Sequence, residues 1–274
     1  MSGVLSVRTY ASGSSANLAL VRTRHTAVLL DLGLGSERGI RAALADSGLG
    51  PDHVAAALVS HSHTDHLNAA GVRFCAREGV PILGTGPTLA AANGLHARNG
   101  GAALPDGLLQ EIRPGATYLV EDLEVTPFAV SHDVPTVGFV LCCGTGAARR
   151  KVAIATDLGC APDALVPHFA DADAIFLEAN YNQRMLDLGT RPVADRRRVG
   201  SNTGHLSNAQ AGTFLNRVLG AGRLPAAVVL VHLSQSHNRP DLALDEVARF
   251  AGLAGLPVPV RTAPRTGPGD VIEL

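Results

Sequence analysis

AAALVSHSHTDH, residues 55–66, changes character midway. Residues 55–59 form an apolar run short enough for one buried strand. The next seven residues hold three histidines and an aspartate. That density at the edge of a core means either a solvated loop or side chains converging on a ligand. The spacing favours convergence. In an extended segment, residues two apart face the same way, so His61 and His63 can hold one ion. If the chain then enters a helix, Asp65 and His66 swing toward a second position. One loop cannot complete two sites, because each metal needs four or five ligands.

Reading outward, the missing ligands sit at other strand ends. Residues 123–130 read as a strand leading to His132. Residues 151–156 lead to Asp157, and 226–231 lead to His232. His61, His63 and His132 are therefore assigned to one metal, and Asp65, His66 and His232 to the other. Asp157 bridges them, since a carboxylate has two oxygens to share. Two divalent cations so placed can generate a hydroxide near neutral pH. Mixed nitrogen and oxygen ligands suit Zn2+ first, with Mn2+ or Fe2+ as substitutes. Two cations, two carboxylates and a hydroxide leave roughly one net positive charge, which favours anionic groups such as a phosphoryl centre. A purely structural metal would more often sit in a closed four-ligand shell, which argues against a non-enzymatic scaffold. Asp31, ending the apolar run LLD, could orient a ligand histidine or simply occupy a turn. Glu178 also ends an apolar strand, 173–178. His25, His53, His96, His168 and His237 have no such setting and read as surface residues, with His237 the weak exception because it lies five residues after His232.

The remaining pattern alternates strands with helices. Strands are expected at 17–22, 26–31, 81–84, 117–120 and 136–143. Helices are expected at 35–48, 65–79, 86–98, 162–170 and 241–252, with another opening at Ser207 as N-cap. Two short strands fill the tail. Such a series suggests two sheets packed face to face with helices outside, an α/β (α+β) class. No linker or repeat divides the chain, so one domain over 1–274 is expected.

Bulk properties limit the partners. The 274 residues are 46% hydrophobic, enough to build a core without staples. Net charge is −1, so nothing global draws the chain to nucleic acid or membrane, and any anion binding must be local. Four cysteines form no C-x-x-C pair and read as buried thiols. The first residues lack a basic stretch before an apolar one, and no apolar run approaches ~18 residues. A soluble cytoplasmic protein with no membrane partner is the expectation.

The motifs ASGSSAN (11–17), LLDLG (29–33), VSHSHTDH (59–66), SHDVPTVGF (131–139), VAIATDLG (152–159), FLEANYN (176–182), GHLSN (204–208) and VHLSQ (231–235) occur in a telling order. Together they resemble the metallo-β-lactamase fold superfamily, in particular its bacterial YycJ/WalJ-type members, over nearly the whole chain. SSAN stands here where SSGN is usual, and NYN where N-H-D or N-Y-D is common. The resemblance implies a four-layer αββα sandwich with two mixed sheets, and carries the seven metal ligands over onto the same positions. It also implies a nuclease-like phosphodiesterase, with 5′-to-3′ DNA exonucleases among related members.

Asp65 and His205 are then the catalytic candidates, His205 as the group that protonates the leaving oxygen. Substrate contacts are expected from Ser14, Ser15, Arg196, Arg197, His205, Ser207 and Asn208. Arg191 and Arg198 lie in the same arginine-rich stretch, where guanidinium groups could grip phosphate or merely form a solvated face. Ser207 could equally be a plain helix cap. The expected substrate is a DNA end or another phosphodiester. A small-molecule metallohydrolase acting on a cyclic phosphodiester, lactone or thioester is the alternative, kept open by only 4% aromatic residues for base stacking.

Overall fold

The strands read as near-continuous apolar runs because both of their faces are covered. The computed structural model describes residues 5–101 and 103–274. Among these, two seven-stranded sheets are built from β1 (Ser6–Ala11), β2 (Leu18–Arg22), β3 (Ala27–Leu30), β4 (Val54–Leu58), β5 (Ile82–Gly84), β6 (Leu109–Glu111), β7 (Tyr118–Val120), β8 (Leu123–Val130), β9 (Thr136–Cys143), β10 (Arg150–Ala155), β11 (Ala174–Glu178), β12 (Ala227–Val231), β13 (Val260–Thr262) and β14 (Val271–Glu273). The first sheet runs β14-β1-β2-β3-β4-β5-β6 and the second β13-β12-β11-β10-β9-β8-β7. Each mixes antiparallel hairpins with a parallel half, β3 to β6 in one and β10 to β13 in the other.

Alternation along single strands separates the layers. Ala19, Val21, Val28 and Leu30 face inward and meet Phe139, Ile154, Phe176 and Val229 of the second sheet. Their neighbours Leu18, Leu20 and Leu29 face outward, onto α1 (Glu37–Asp46), α2 (Ala69–Glu78) and α3 (Gly86–Arg98). On the far side, Ala153, Ile175, Leu177, Val228 and Leu230 pack under α4 (Val166–Phe169), α7 (Asn208–Ala221) and α8 (Pro240–Phe250). The result is helix, sheet, sheet, helix, as expected. A fully buried side chain of Phe or Leu size contributes roughly 1.5–3 kcal/mol, so each apolar layer resists sliding.

This packing gathers the strand ends. Leu30 is level with Leu58, and Glu178 with Val231, so the residues that follow emerge side by side. The Val137 amide in β9 donates to the Ser60 carbonyl at 3.1 Å and ties the two sheets together at that edge.

Several expectations need adjusting. The helix expected from 65 begins at Ala69, because Asn68 caps it by accepting the amides of Ala70 and Gly71. Asp65 and His66 are instead turned by one loop, in which the His66 amide donates to the His63 carbonyl. The helix expected at 162–170 is a 3-10 turn, Asp163–Leu165, followed by the four-residue α4. β1, β6, α5 (Gln183–Asp187) and α6 (Val193–Val199) were not anticipated. The two tail strands go to different sheets, β13 beside β12 and β14 beside β1.

Candidate metal centre

Seven side chains from four segments meet where the strand ends open. Donor atoms of His61, His63 and His132 lie within 4.8 Å of one another, as do those of Asp65, His66 and His232. Asp157 belongs to groups on both sides, with His61 and His66 and again with His232, His205 and Glu178. Its Oδ1 is 3.8 Å from His132 Nε2, and its Oδ2 is 3.1 Å from His66 Nε2. Oδ1 also lies 3.4 Å from His232 Nδ1, so the carboxylate stands between the two clusters. His61 Nε2 approaches His63 Nδ1 to 3.1 Å, and His132 Nε2 approaches the same atom to 3.3 Å.

The outward nitrogens explain these orientations. His66 Nδ1 donates to Asp31 Oδ2 at 2.7 Å. The other Asp31 oxygen accepts the amide and hydroxyl of Ser60, both at 2.8 Å. With its proton so committed, Ser60 Oγ accepts from His61 Nδ1 at 3.0 Å. His132 Nδ1 donates to the Gly204 carbonyl at 2.9 Å, and His232 Nδ1 to Glu178 Oε1 at 2.9 Å. With Nδ1–H committed outward on all four, Nε2 is the atom left for a cation. His63 is reversed, with Nε2 3.2 Å from Asp133 Oδ1.

Asp31 and His232 both hold left-handed backbone, φ 61° and 56°. Gly33 lets the first loop close, since a Cβ there would lie 1.7 Å from the Asp65 carbonyl oxygen. Asn17 completes the corner. Its backbone amide donates to the Asp65 carbonyl at 2.7 Å, and its Nδ2 lies 2.8 Å from His66 Nε2.

Electrostatics follow from burial. Burial disfavours a charged imidazole at His66 and His232, but Asp157 and the other nearby carboxylates outweigh it and raise both, His232 to about 10. Burial, then the neighbouring His66 charge, pushes His61 well below its usual value. Burial would raise Asp157, yet His232, His66 and His61 hold it well below the carboxylate range. Asp65 is lowered in the same way by His232 and His66. The donor set fits divalent cations. Asp157 Oδ2 is buried without a hydrogen bond, and lone-pair nitrogens crowd together with no donor between them.

Glu178 is a central residue whose role the sequence did not indicate. It is fully buried, and Oε1 takes His232 Nδ1 together with His205 Nδ1, the latter at 2.8 Å. Oε2 accepts the amides of Leu158 and Leu206 at 2.8 and 3.0 Å. Although burial raises its pKa, His205 and His232 hold Glu178 ionised. His205 lies beside the metal cluster, its ring centroid 5.2 Å from that of His132 and 5.3 Å from that of His232.

A cavity of about 540 Å3 opens over the cluster. Ser14, His63, Asp65, Asp157, His205 and His232 line it, joined by Asp133, Asn180, Arg191, Arg198, Ser234 and His237. Five residues expected on the substrate face do not line it. Arg196 turns away, donating to the carbonyls of Leu186, Asp187 and Arg191. Arg197 is exposed elsewhere on α6. Ser207 caps α7 in a box with Gln210, and Asn208 is buried against Asn238 and Glu246. Ser15 accepts from Gln235 at the rim. His237, read as surface, is 2% exposed. No helix among the described residues is long and apolar enough to cross a membrane.

Comparison with known proteins agrees with this architecture. A profile described as the beta-lactamase superfamily domain matches residues 26–233. Exodeoxyribonuclease YycJ of Bacillus anthracis is 29% identical over 239 residues, covering 87% of this chain and 86% of that protein. Exodeoxyribonuclease WalJ of Streptococcus pneumoniae serotype 2 is 28% identical over 234 residues, covering 85% and 83%. The crystal structure of the metallo-β-lactamase fold protein YhfI from Bacillus subtilis superposes with a TM-score of 0.69 at 17% identity, covering 99% of this chain and 100% of that one. Family profile, fold and histidine cluster together make this chain a member of the beta-lactamase superfamily and a metal-dependent hydrolase.

Proposed function

We propose that this protein is a dinuclear phosphodiesterase that degrades DNA from a 5′ end. His61, His63 and His132 would hold one cation, Asp65, His66 and His232 the other, with Asp157 between them. When bound, divalent cations lower the pKa of coordinated water toward neutrality and polarise a phosphoryl oxygen. The protein's own residues do the rest. Asp31, Ser60, Gly204 and Glu178 fix the ligand tautomers. Glu178 also orients His205, whose Nδ1 donates to it, leaving Nε2 to hand a proton to the leaving oxygen. Asp65 serves as a ligand beside the reacting phosphate. Arg191, with no acidic partner among the described residues, offers the cavity a free positive charge, while Arg198 is paired with Asp133 at 3.0 Å.

The observation that carries this reading is the meeting of seven ligand-type side chains, four of them anchored from behind, under an arginine-flanked cavity. The DNA substrate is supported by the two exodeoxyribonuclease relatives. The test combines metal analysis with digestion of duplex DNA labelled at either end. About two metal equivalents per chain are expected, with label at the 5′ end released first. His63→Ala and Asp157→Ala should remove both metal and cleavage while the circular dichroism spectrum is kept. Undiminished cleavage by both variants would end the proposal.

One observation keeps a small-molecule substrate in view. No Phe or Tyr is among the described residues lining the cavity, so any base stacking there would fall to its histidines and arginines. Salt separates the two readings. The KM for DNA gripped by arginines should rise steeply with salt, whereas that for a neutral ester should barely move.

A further inference from the structure

The arginine-rich segment that shapes one wall of the cavity also has an outer side. Residues 183–199, from α5 to α6, carry five arginines against two aspartates, a net charge of +3 in a chain whose total is −1. Arg191, Arg198 and Val199 line the cavity. Beneath the segment, Leu186 and Val199 are buried against Tyr181. Leu188 and Val193 go the other way, 72% and 53% exposed, and Pro192 is exposed beside them. Single apolar side chains scattered over a surface need no explanation. These are neither scattered nor loose.

One guanidinium closes the turn that carries them. Arg196 donates to the carbonyls of Leu186 and Asp187 on one side and to that of Arg191 on the other. Leu188 and Val193 therefore stand at the two shoulders of a closed turn. The Leu188 amide donates to the Arg184 carbonyl, and the Gly189 amide to that of Leu186. A Cβ at Gly189 would lie 2.7 Å from His237 Nε2, so the turn rests directly on the loop after β12. An apolar tip fixed in this way loses little further freedom when something covers it. Val193 and Arg197, four apart on α6, share one face of that helix. Arg184, Arg191 and Arg197 have no acidic partner among the described residues. Arg191 faces the cavity and Arg197 does not, so positive charge is offered on both sides of the tip.

The size of the cavity gives this tip a task. About 540 Å3 suits one drug-sized ligand and not two paired strands. A duplex end must open at the mouth before the scissile strand reaches the metals. Apolar side chains that enter between bases hold such an opening apart, and guanidinium groups on either side take the phosphates. We propose that Leu188 and Val193 form a wedge that packs on the terminal base pair of duplex DNA and parts its strands, feeding one of them into the cavity. This rests on the exonuclease reading above.

The test compares metal-loaded wild type with a double variant, Leu188→Ser and Val193→Ser. Both positions are exposed, so the melting temperature should be unchanged. Release of the first nucleotide is followed on single-stranded DNA and on the blunt duplex of the same sequence. The variant should lose about tenfold in kcat/KM on the duplex, the order of a partly unstacked base step, and less than about twofold on the single strand. A second readout needs no cleavage. The fluorescent base 2-aminopurine, one pair in from the end of a duplex protected by phosphorothioate linkages, should brighten when wild type binds and stay dim with the variant. Equal losses on both substrates, or no loss on either, overturn the wedge and leave the exonuclease standing. A variant that keeps the duplex rate but turns a wild-type dimer into a monomer in sedimentation gives the tip to a second copy and also overturns the wedge. Wild type that releases no nucleotide from either DNA overturns both readings.

Discussion

Glu178→Gln removes one charge and almost no volume, and it tests the support behind the metal centre. The carboxylate accepts four hydrogen bonds, from His205, His232, Leu158 and Leu206. A glutamine oxygen can take two of these donors, but its NH2 must face the other two. Either way two buried donors are left unmatched, at about 1–3 kcal/mol each, or roughly 2–6 kcal/mol in total. If the NH2 faces the histidines, His232 must move its proton to Nε2, the nitrogen that would bind metal. Metal affinity should then fall by about 10–100-fold, the usual effect of losing such a partner. Calorimetric metal titration and a thermal melt of the chelated protein read the two effects separately. The melting temperature should drop by on the order of 5–20 °C. A variant with wild-type affinity and wild-type melting temperature would refute the role given to Glu178.

Two further outcomes are expected. Gly33→Ala pushes a methyl into the backbone of Asp65 and Asn17, and the displaced ligand loop should lower turnover by about 10²-fold with the fold retained by circular dichroism; full activity would show that the loop yields freely. In the chelated protein the folded pKa of His232 is raised to about 10, so its contribution to stability is complete below about pH 6.5 and is lost as pH rises through about 10. Melting temperatures from pH 7 to 10 should therefore fall more steeply for wild type than for His232→Gln, and parallel curves would contradict this.

The ligand loop was legible because its logic is local. Residues two apart on an extended chain share a face, and a turn redirects the next pair. Asp157 and His232 were legible because apolar strands announce where they end. Glu178 ended a strand just as plainly, but its task depends on His205 and His232 arriving from 27 and 54 residues away. His237 was read as surface, the weak exception among five such histidines because it lies five residues after His232, since no apolar strand ends at it. The cover comes from the segment around Gly189, folded over it from another part of the chain. α5 and α6 were missed because five and seven residues, several of them arginines, are too few for helical periodicity to show. β1 hid for a different reason. Arg8 interrupts its apolar pattern and is accommodated by the distant Gly269 carbonyl and Asp46 and by the face of Tyr10.

The left-handed backbone at Asp31 and His232 bears on how this site can change over time. Left-handed geometry costs most side chains on the order of 1–2 kcal/mol, and glycine avoids that cost while offering nothing to a cation. At both positions, then, the residue that would relax the chain is the one that would dismantle the chemistry. Random drift toward greater thermal robustness runs directly against catalysis at these two points, and a version of this enzyme hardened by selection for stability alone should go inert there first.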